Sequence, residues 1–151
     1  MYHRILIPLE NSVTDACILA HVRELGKHCG AQLLLIHVAD GWAAQHHHEL
    51  ALRESDEMRK DREYLEAQSA KLRDEGFDVD AILASGDPAK EISETAAREG
   101  CDLIAMGTHG HKLLADLVYG SVASAVRHLS TVPVLLVRDL QRTSGPRPAQ
   151  S

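Results

Sequence analysis

Five short apolar runs, each separated from the next by a longer stretch with helical spacing, constrain this chain more than any other feature. They are Ile5 to Leu9, Leu33 to Val38 with His37 as its one polar residue, Val79 to Leu83 with Asp80 as its one polar residue, Leu103 to Met106 and Val134 to Val137. A run without polar alternation suits a strand covered on both faces, and such strands are usually parallel and joined by crossover helices. The pattern predicts an α/β fold, a doubly wound five-stranded parallel sheet with helices on both faces. Residues 1–139 suffice for one such domain. Residues 140–151 are polar and broken by Pro146 and Pro148, and are expected to form a disordered tail.

Local signals mark where each element starts and stops. Glu10-Asn11-Ser12 ends the first run, with Ser12 expected as a helix cap and Asp15 in the first turn. Ile18, Val22, Leu25 and Cys29 recur at spacings of four, three and four before Gly30, which supplies a left-handed stop. After an irregular stretch from Ala39 to His48, the segment Glu49 to Glu75 is densely charged. Ala51, Met58, Leu65 and Leu72 recur there every seven residues, predicting a surface helix with a thin apolar seam that ends at Gly76. Gly86-Asp87-Pro88 sets a cap and then a proline at the first helical position, and Ala89, Ile92 and Ala96 continue one face as far as Gly100. Gly107 to Tyr119 reads as a glycine-bounded loop with room for a short helical piece. A last helix is expected to open at Gly120-Ser121-Val122, with Val126 and Leu129 on its apolar face.

Composition narrows the partners. Sixteen Lys and Arg against twenty-two Asp and Glu leave a net charge of −6, which does not draw the chain to a nucleic-acid backbone or an anionic membrane. Ile5 to Ile7, stopped by Pro8, is too short for a signal peptide or a spanning helix. Cys17, Cys29 and Cys101 are odd in number and contain no Cys-x-x-Cys pair. They read as small buried side chains in a reducing compartment, so a cytoplasmic location is expected.

The chemistry concentrates after the fourth run, where Met106-Gly107-Thr108-His109-Gly110 is followed by nine residues and then Gly120-Ser121-Val122. Glycines let backbone approach a phosphate, a helix start offers unpaired amides, and Ser121 carries a hydroxyl, which together describe an anion cradle. The plainer alternative is that these glycines serve turns. His109, His111 and Lys112 would add positive charge near phosphates, or simply face solvent. Ser121 has no evident base partner and no Walker pattern occurs, so no catalytic residue is expected and hydrolysis would be slow and incidental. His46-His47-His48 are adjacent and therefore point in different directions, without a frame of further ligands, so no metal site is assigned to them.

Gly107-x-x-Gly110-x9-Gly120-Ser121 resembles the Gly-2x-Gly-9x-Gly-(Ser/Thr) signature of ATP-binding universal stress proteins. The resemblance covers roughly residues 2 to 138, taking in the first run ending at Pro8, His37-Val38, Gly86-Asp87-Pro88 and Val132-Pro133-Val134-Leu135-Leu136-Val137-Arg138. It implies a strand order 3-2-1-4-5, which would set Glu10 and Gly107 across the point where the winding reverses. It further implies adenine against Val38 and Met106, with Pro8, Leu9 and Glu10 on the base or ribose side. Gly107, His109, Gly110, Gly120, Ser121 and Val122 would line the phosphates. ATP is the implied ligand, with AMP or ADP as alternatives, and Mg2+ or Mn2+ would enter only with bound nucleotide. The family likeness also implies a homodimer through the last strand and a nucleotide-dependent stress-response role toward a protein partner that the sequence does not name. Two further readings stand beside it: a dimeric interaction module that keeps the fold without using nucleotide, and a slow phosphohydrolase or nucleotide transferase. The chain differs from many ATP-binding members in carrying Glu10-Asn11 for Asp-Gly, Asp116 in the glycine loop and Ala123 for a hydroxyl.

Overall fold

A central strand, β1 (Arg4–Pro8), pairs in parallel with β2 (Gln32–Asp40) on one side and β4 (Leu103–His109) on the other. Outside these, β3 (Val79–Gly86) pairs with β2 and β5 (Val134–Asp139) with β4, giving a five-stranded parallel sheet in the order 3-2-1-4-5. The computed structural model describes residues 1–40, 47–109 and 114–139. The expected tail at 140–151, together with His46, Gly110, His111 and Lys112, lies outside the described residues. The helices are α1 (Asp15–Cys29), α2 (His47–Asp74), α3 (Pro88–Arg98) and α4 (Leu114–Leu129).

The apolar runs are continuous because the sheet is covered twice. Neighbouring residues on a strand point to opposite faces, so Ile5, Ile7, Leu33 and Leu35 pack with Ile18, Leu19 and Val22 of α1 and Leu65 and Leu72 of α2. Leu6, Leu34, Ile36, Ile104 and Met106 pack on the other face with Ile92 and Ala96 of α3 and Ala123 and Val126 of α4. Each fully buried Leu or Ile in these layers contributes roughly 1.5–3 kcal/mol relative to exposure.

The element ends follow the local chemistry in most places. Gly30 closes α1 at φ +65° and donates to the Gly26 carbonyl, while Oδ2 of Asp87 accepts the Lys90 N–H at 3.0 Å ahead of Pro88. At the opposite edge, Asp102 accepts the N–H groups of His3 at 2.8 Å and Arg4 at 3.0 Å, tying the start of β1 to β4. Burial pushes the Asp102 carboxyl upward, but these backbone donors outweigh it and hold the group below its ordinary value.

Four expectations need correction. Thr14, not Ser12, stands at the start of α1, because the Ser12 carbonyl accepts the Asp15 N–H in a preceding turn. Helix α4 opens at Leu114 rather than at Gly120-Ser121: Leu114-Ala115-Asp116-Leu117-Val118 brings enough helix formers and apolar spacing to outweigh about 1 kcal/mol for an interior glycine. On α2 the apolar seam is buried at Leu65 and Leu72, whereas Met58 lies in an exposed turn, residues 56–60. Cys101 is buried, and burial pushes its thiol up to about 11, but Cys17 and Cys29 are only half-buried on the edge of α1. No helix among the described residues is long and apolar enough to cross a membrane.

Candidate functional site

Strands β1 and β4 are neighbours whose following helices leave toward opposite faces of the sheet, and a crevice opens beyond their carboxyl ends. The crevice holds a cavity of about 160 Å³. Pro8, Leu9 and Glu10 form its wall after β1, with Thr14, Asp15 and Ile18 from the start of α1. Ile36 and Val38 of β2, Met106 and Gly107 of β4, Pro88 and Ile92 of α3 and Val122 of α4 close the remaining sides. An apolar cavity of about 150 Å³ is sufficient for a benzene-sized ring. The space therefore suits one aromatic base, with anything larger continuing outward past Gly107.

Gly107 shapes this space directly. A Cβ added there would lie 3.5 Å from Cβ of Ile18 and 3.7 Å from the Thr14 carbonyl, ordinary contact distances. Packing accepts an alanine at this position, whereas a larger side chain would run out of room between β4 and α1. The absence of a side chain keeps the backbone at the cavity edge open to a ligand.

The wall after β1 is held from three sides. The buried carboxylate of Asp15 accepts the N–H of Glu10 at 2.9 Å through Oδ1. Its Oδ2 accepts those of Asn11 at 2.8 Å and Ser12 at 3.3 Å, and the Tyr64 hydroxyl of α2 at 2.5 Å. Burial, then the bond to Asp15 and that carboxylate's charge, drive the Tyr64 phenol well above its ordinary value. Nδ1 of His37 meets the Leu9 carbonyl at 2.8 Å, and its Nε2 lies 3.3 Å from Oδ2 of Asp61. Oδ1 of Asp61 in turn accepts the Asn11 amide at 3.3 Å. Asn11 adopts φ +58°, the left-handed conformation that Asn tolerates better than most side chains.

The electrostatics of this wall give the cavity a direction. Glu10 and Asp15 are both acidic, and the Thr14 hydroxyl donates to Oε2 of Glu10 at 3.4 Å. Such a wall favours hydrogen-bond donors, the amino group of a base or the hydroxyls of a sugar, and repels phosphate. An anionic part of a ligand belongs on the far side, over Gly107 and the end of β4.

Of the residues singled out in the sequence, Pro8, Leu9, Glu10, Val38, Met106, Gly107 and Val122 converge on this one cavity. His109 is the last residue of β4, and Gly110 lies outside the described residues. Gly120 and Ser121 are in α4, so the unpaired amides of a helix start are not at Gly120, and the described Ser121 is not among the residues that line the cavity. Thr14, Asp15, Ile18, Ile36, Pro88 and Ile92 were not singled out for the site. Ile18, Ile36 and Ile92 read as core side chains, and only the sheet order reveals that the core stops at a cavity beside them. Asp15 reads in the sequence only as a first-turn acid of the helix. No group of three His, Cys, Asp or Glu side chains among the described residues could hold a metal ion.

The comparisons with known proteins agree with this architecture. The family model described as "Universal stress protein family" matches residues 1–138. Universal stress protein MJ0577 of Methanocaldococcus jannaschii is 31% identical to this chain, over 91% of it and 96% of the relative. The solved structure of MJ0577 covers 93% of this chain and 99% of its own, with a TM-score of 0.82. A universal stress protein of Archaeoglobus fulgidus solved in complex with dAMP is 19% identical and shares the fold at a TM-score of 0.68, covering 90% of this chain and 98% of that one. A universal stress protein solved in complex with cAMP is 18% identical at a TM-score of 0.68, covering 91% of this chain and 97% of that one. By the span of the family match and by the relative that shares nearly its whole length, the chain belongs to the universal stress protein family.

Proposed function

We propose that this protein binds an adenine nucleotide, ATP in the first place, and acts in the cytoplasm as a nucleotide-dependent stress-response regulator. The observation that carries the reading is the ring-sized cavity at the β1–β4 switch point, apolar between Val38, Met106 and Ile92 and acidic at Glu10. Adenine offers a flat apolar face and an amino donor to such a wall. Fold relatives solved in complex with dAMP and with cAMP support this reading. The phosphates would extend over Gly107 toward His109, Gly110, Gly120 and Ser121, and a Mg2+ or Mn2+ ion would be held there mainly by phosphate oxygens.

We propose no catalytic residue for the protein, and binding rather than turnover as its output. The nucleotide is then a signal, and occupancy changes how a protein partner is met. Strand β5 ends the sheet with Leu136 exposed, a surface suited to pairing with a second copy as a homodimer. A nucleotide-independent dimeric module of the same fold is the second reading. It is favoured by the helical backbone at Gly120 and Ser121, which leaves no helix start there for phosphate.

Thermal unfolding of the nucleotide-free chain with ATP, AMP and cyclic AMP, each with magnesium and with GTP as control, separates the two. Ligand at about 100 times its Kd adds roughly 2.7 kcal/mol, or several degrees for a chain of this size. An adenine-specific shift supports the regulator reading. Equal midpoints with and without every nucleotide would leave the module reading.

A further inference from the structure

No described side chain of the long helix α2 lines the cavity, yet two of its residues reach the wall of that cavity. Asp61 and Tyr64 are three positions apart and so lie on one helix face. Tyr64 donates to Asp15, which holds the N–H groups of Glu10, Asn11 and Ser12. Asp61 meets both the Asn11 amide and Nε2 of His37, whose other ring nitrogen meets the Leu9 carbonyl. Every residue from Leu9 to Ser12 is thus tied, directly or through one intermediate group, to a single turn of α2.

That turn is also where α2 changes character. Its C-terminal half is fixed by buried Leu65 and Leu72 and, just past its end, by the Arg23–Glu75 ion pair at 2.7 Å. Residues 56–60, immediately before Asp61, are all exposed. Asp61 and Tyr64 are therefore the first of these anchors after the exposed turn 56–60, and both end on the loop that walls the cavity.

We propose that Asp61 and Tyr64 are positioning residues for the nucleotide, and that the same two bridges carry nucleotide occupancy to α2. The inference rests on the reading of the cavity as a nucleotide site. A ligand that favours the ordered form of Leu9 to Ser12 also favours the docked form of α2, because the two share their hydrogen bonds. The exposed turn 56–60 is where that change becomes available to a partner.

The test is amide hydrogen exchange on the full chain, with and without ATP and magnesium, in the wild type, Tyr64→Phe and Asp61→Ala, with ATP affinity measured in each. Wild type should gain protection at Glu10 to Ser12 and over residues 56–64 on adding ATP. Each variant should bind ATP at least about tenfold more weakly, Tyr64→Phe by losing one hydrogen bond to a carboxylate and Asp61→Ala by losing the contacts to Asn11 and His37. At saturating ATP, the response of 56–64 should be lost. A merely structural role would lower the unfolding midpoint but leave ATP affinity and the α2 response intact, and that result overturns the proposal. So does a wild-type α2 that ignores bound ATP. If the wild type binds no ATP, the nucleotide reading fails, and the bridges are judged without ligand. Glu10 to Ser12 should then exchange at least about tenfold faster in both variants, and unchanged exchange would overturn their positioning role.

Discussion

The Tyr64 hydroxyl donates at 2.5 Å to Oδ2 of Asp15, a residue 49 positions earlier whose carboxylate already accepts three consecutive backbone N–H groups. Four donors on one buried carboxylate make Asp15 the fixed point of the loop after β1. Asp15→Ala would leave those backbone donors, in a partly buried setting, without their acceptor. The expected loss is about 2–4 kcal/mol of stability. Urea unfolding of the variant beside the wild type checks it, and a loss below about 0.5 kcal/mol would show that the loop finds other partners.

Gly107 separates the needs of packing from those of binding. Because an added Cβ meets Ile18 only at ordinary contact distance, Gly107→Ala should fold with little change in midpoint. Gly107→Val places further methyl groups at the cavity edge and should lower ATP affinity at least about tenfold while unfolding cooperatively. Calorimetric titration of both variants tests this, and a valine variant that binds like the wild type would remove Gly107 from the site.

Tyr64 links the same network to alkaline pH. Its phenol is raised by burial and by the bond to Asp15, so the neutral form is favoured in the folded chain. The resulting stability is fully present below the unfolded value near about 10 and is lost as pH rises toward the folded one. Absorbance titration should show one tyrosine ionising later than an ordinary phenol, and Tyr64→Phe should remove that late step. If the late step persists in Tyr64→Phe, another tyrosine is the protected one.

Asp102 predicts the opposite limb. Its lowered value means that its bonds to the His3 and Arg4 amides stabilise the fold above the ordinary carboxylate range. That contribution disappears as pH falls through the folded value. Asp102→Asn should be less stable than wild type near neutrality, with the gap closing in strong acid. A gap that stays constant with pH would mean that the charge is not what matters.

Leu136, 41% exposed on edge strand β5, should lie in a homodimer contact. Light scattering should give twice the 16.5 kDa chain mass for the wild type and the single-chain mass for Leu136→Lys. A monomeric wild type at micromolar concentration would sink the dimer assignment.

The elements were legible where local chemistry and tertiary packing agree. The uninterrupted apolar runs at 5–9 and 33–36 followed from double coverage, and Gly30 and Asp87-Pro88 acted as their types require. The strand order itself came from the family likeness, because nothing local says that β1 and β4 are neighbours. The start of α4 was misplaced because a glycine with a following serine resembles a helix opening even when seven helical residues precede Ser121. In the site, glycines and strand-end residues announced themselves, whereas Ile18 and Ile92 looked like any core side chain. The bond between Asp15 and Tyr64 joins elements far apart in sequence, and no spacing rule reaches that distance.

The most direct test of the account is to map chemical-shift changes on the nucleotide-free, isotopically labelled chain as ATP and magnesium are added. The account predicts saturable changes at Leu9, Glu10, Val38, Met106 and Gly107, with GTP producing much smaller ones. Shifts that leave these residues unmoved, or that gather on another face of the sheet, would contradict it.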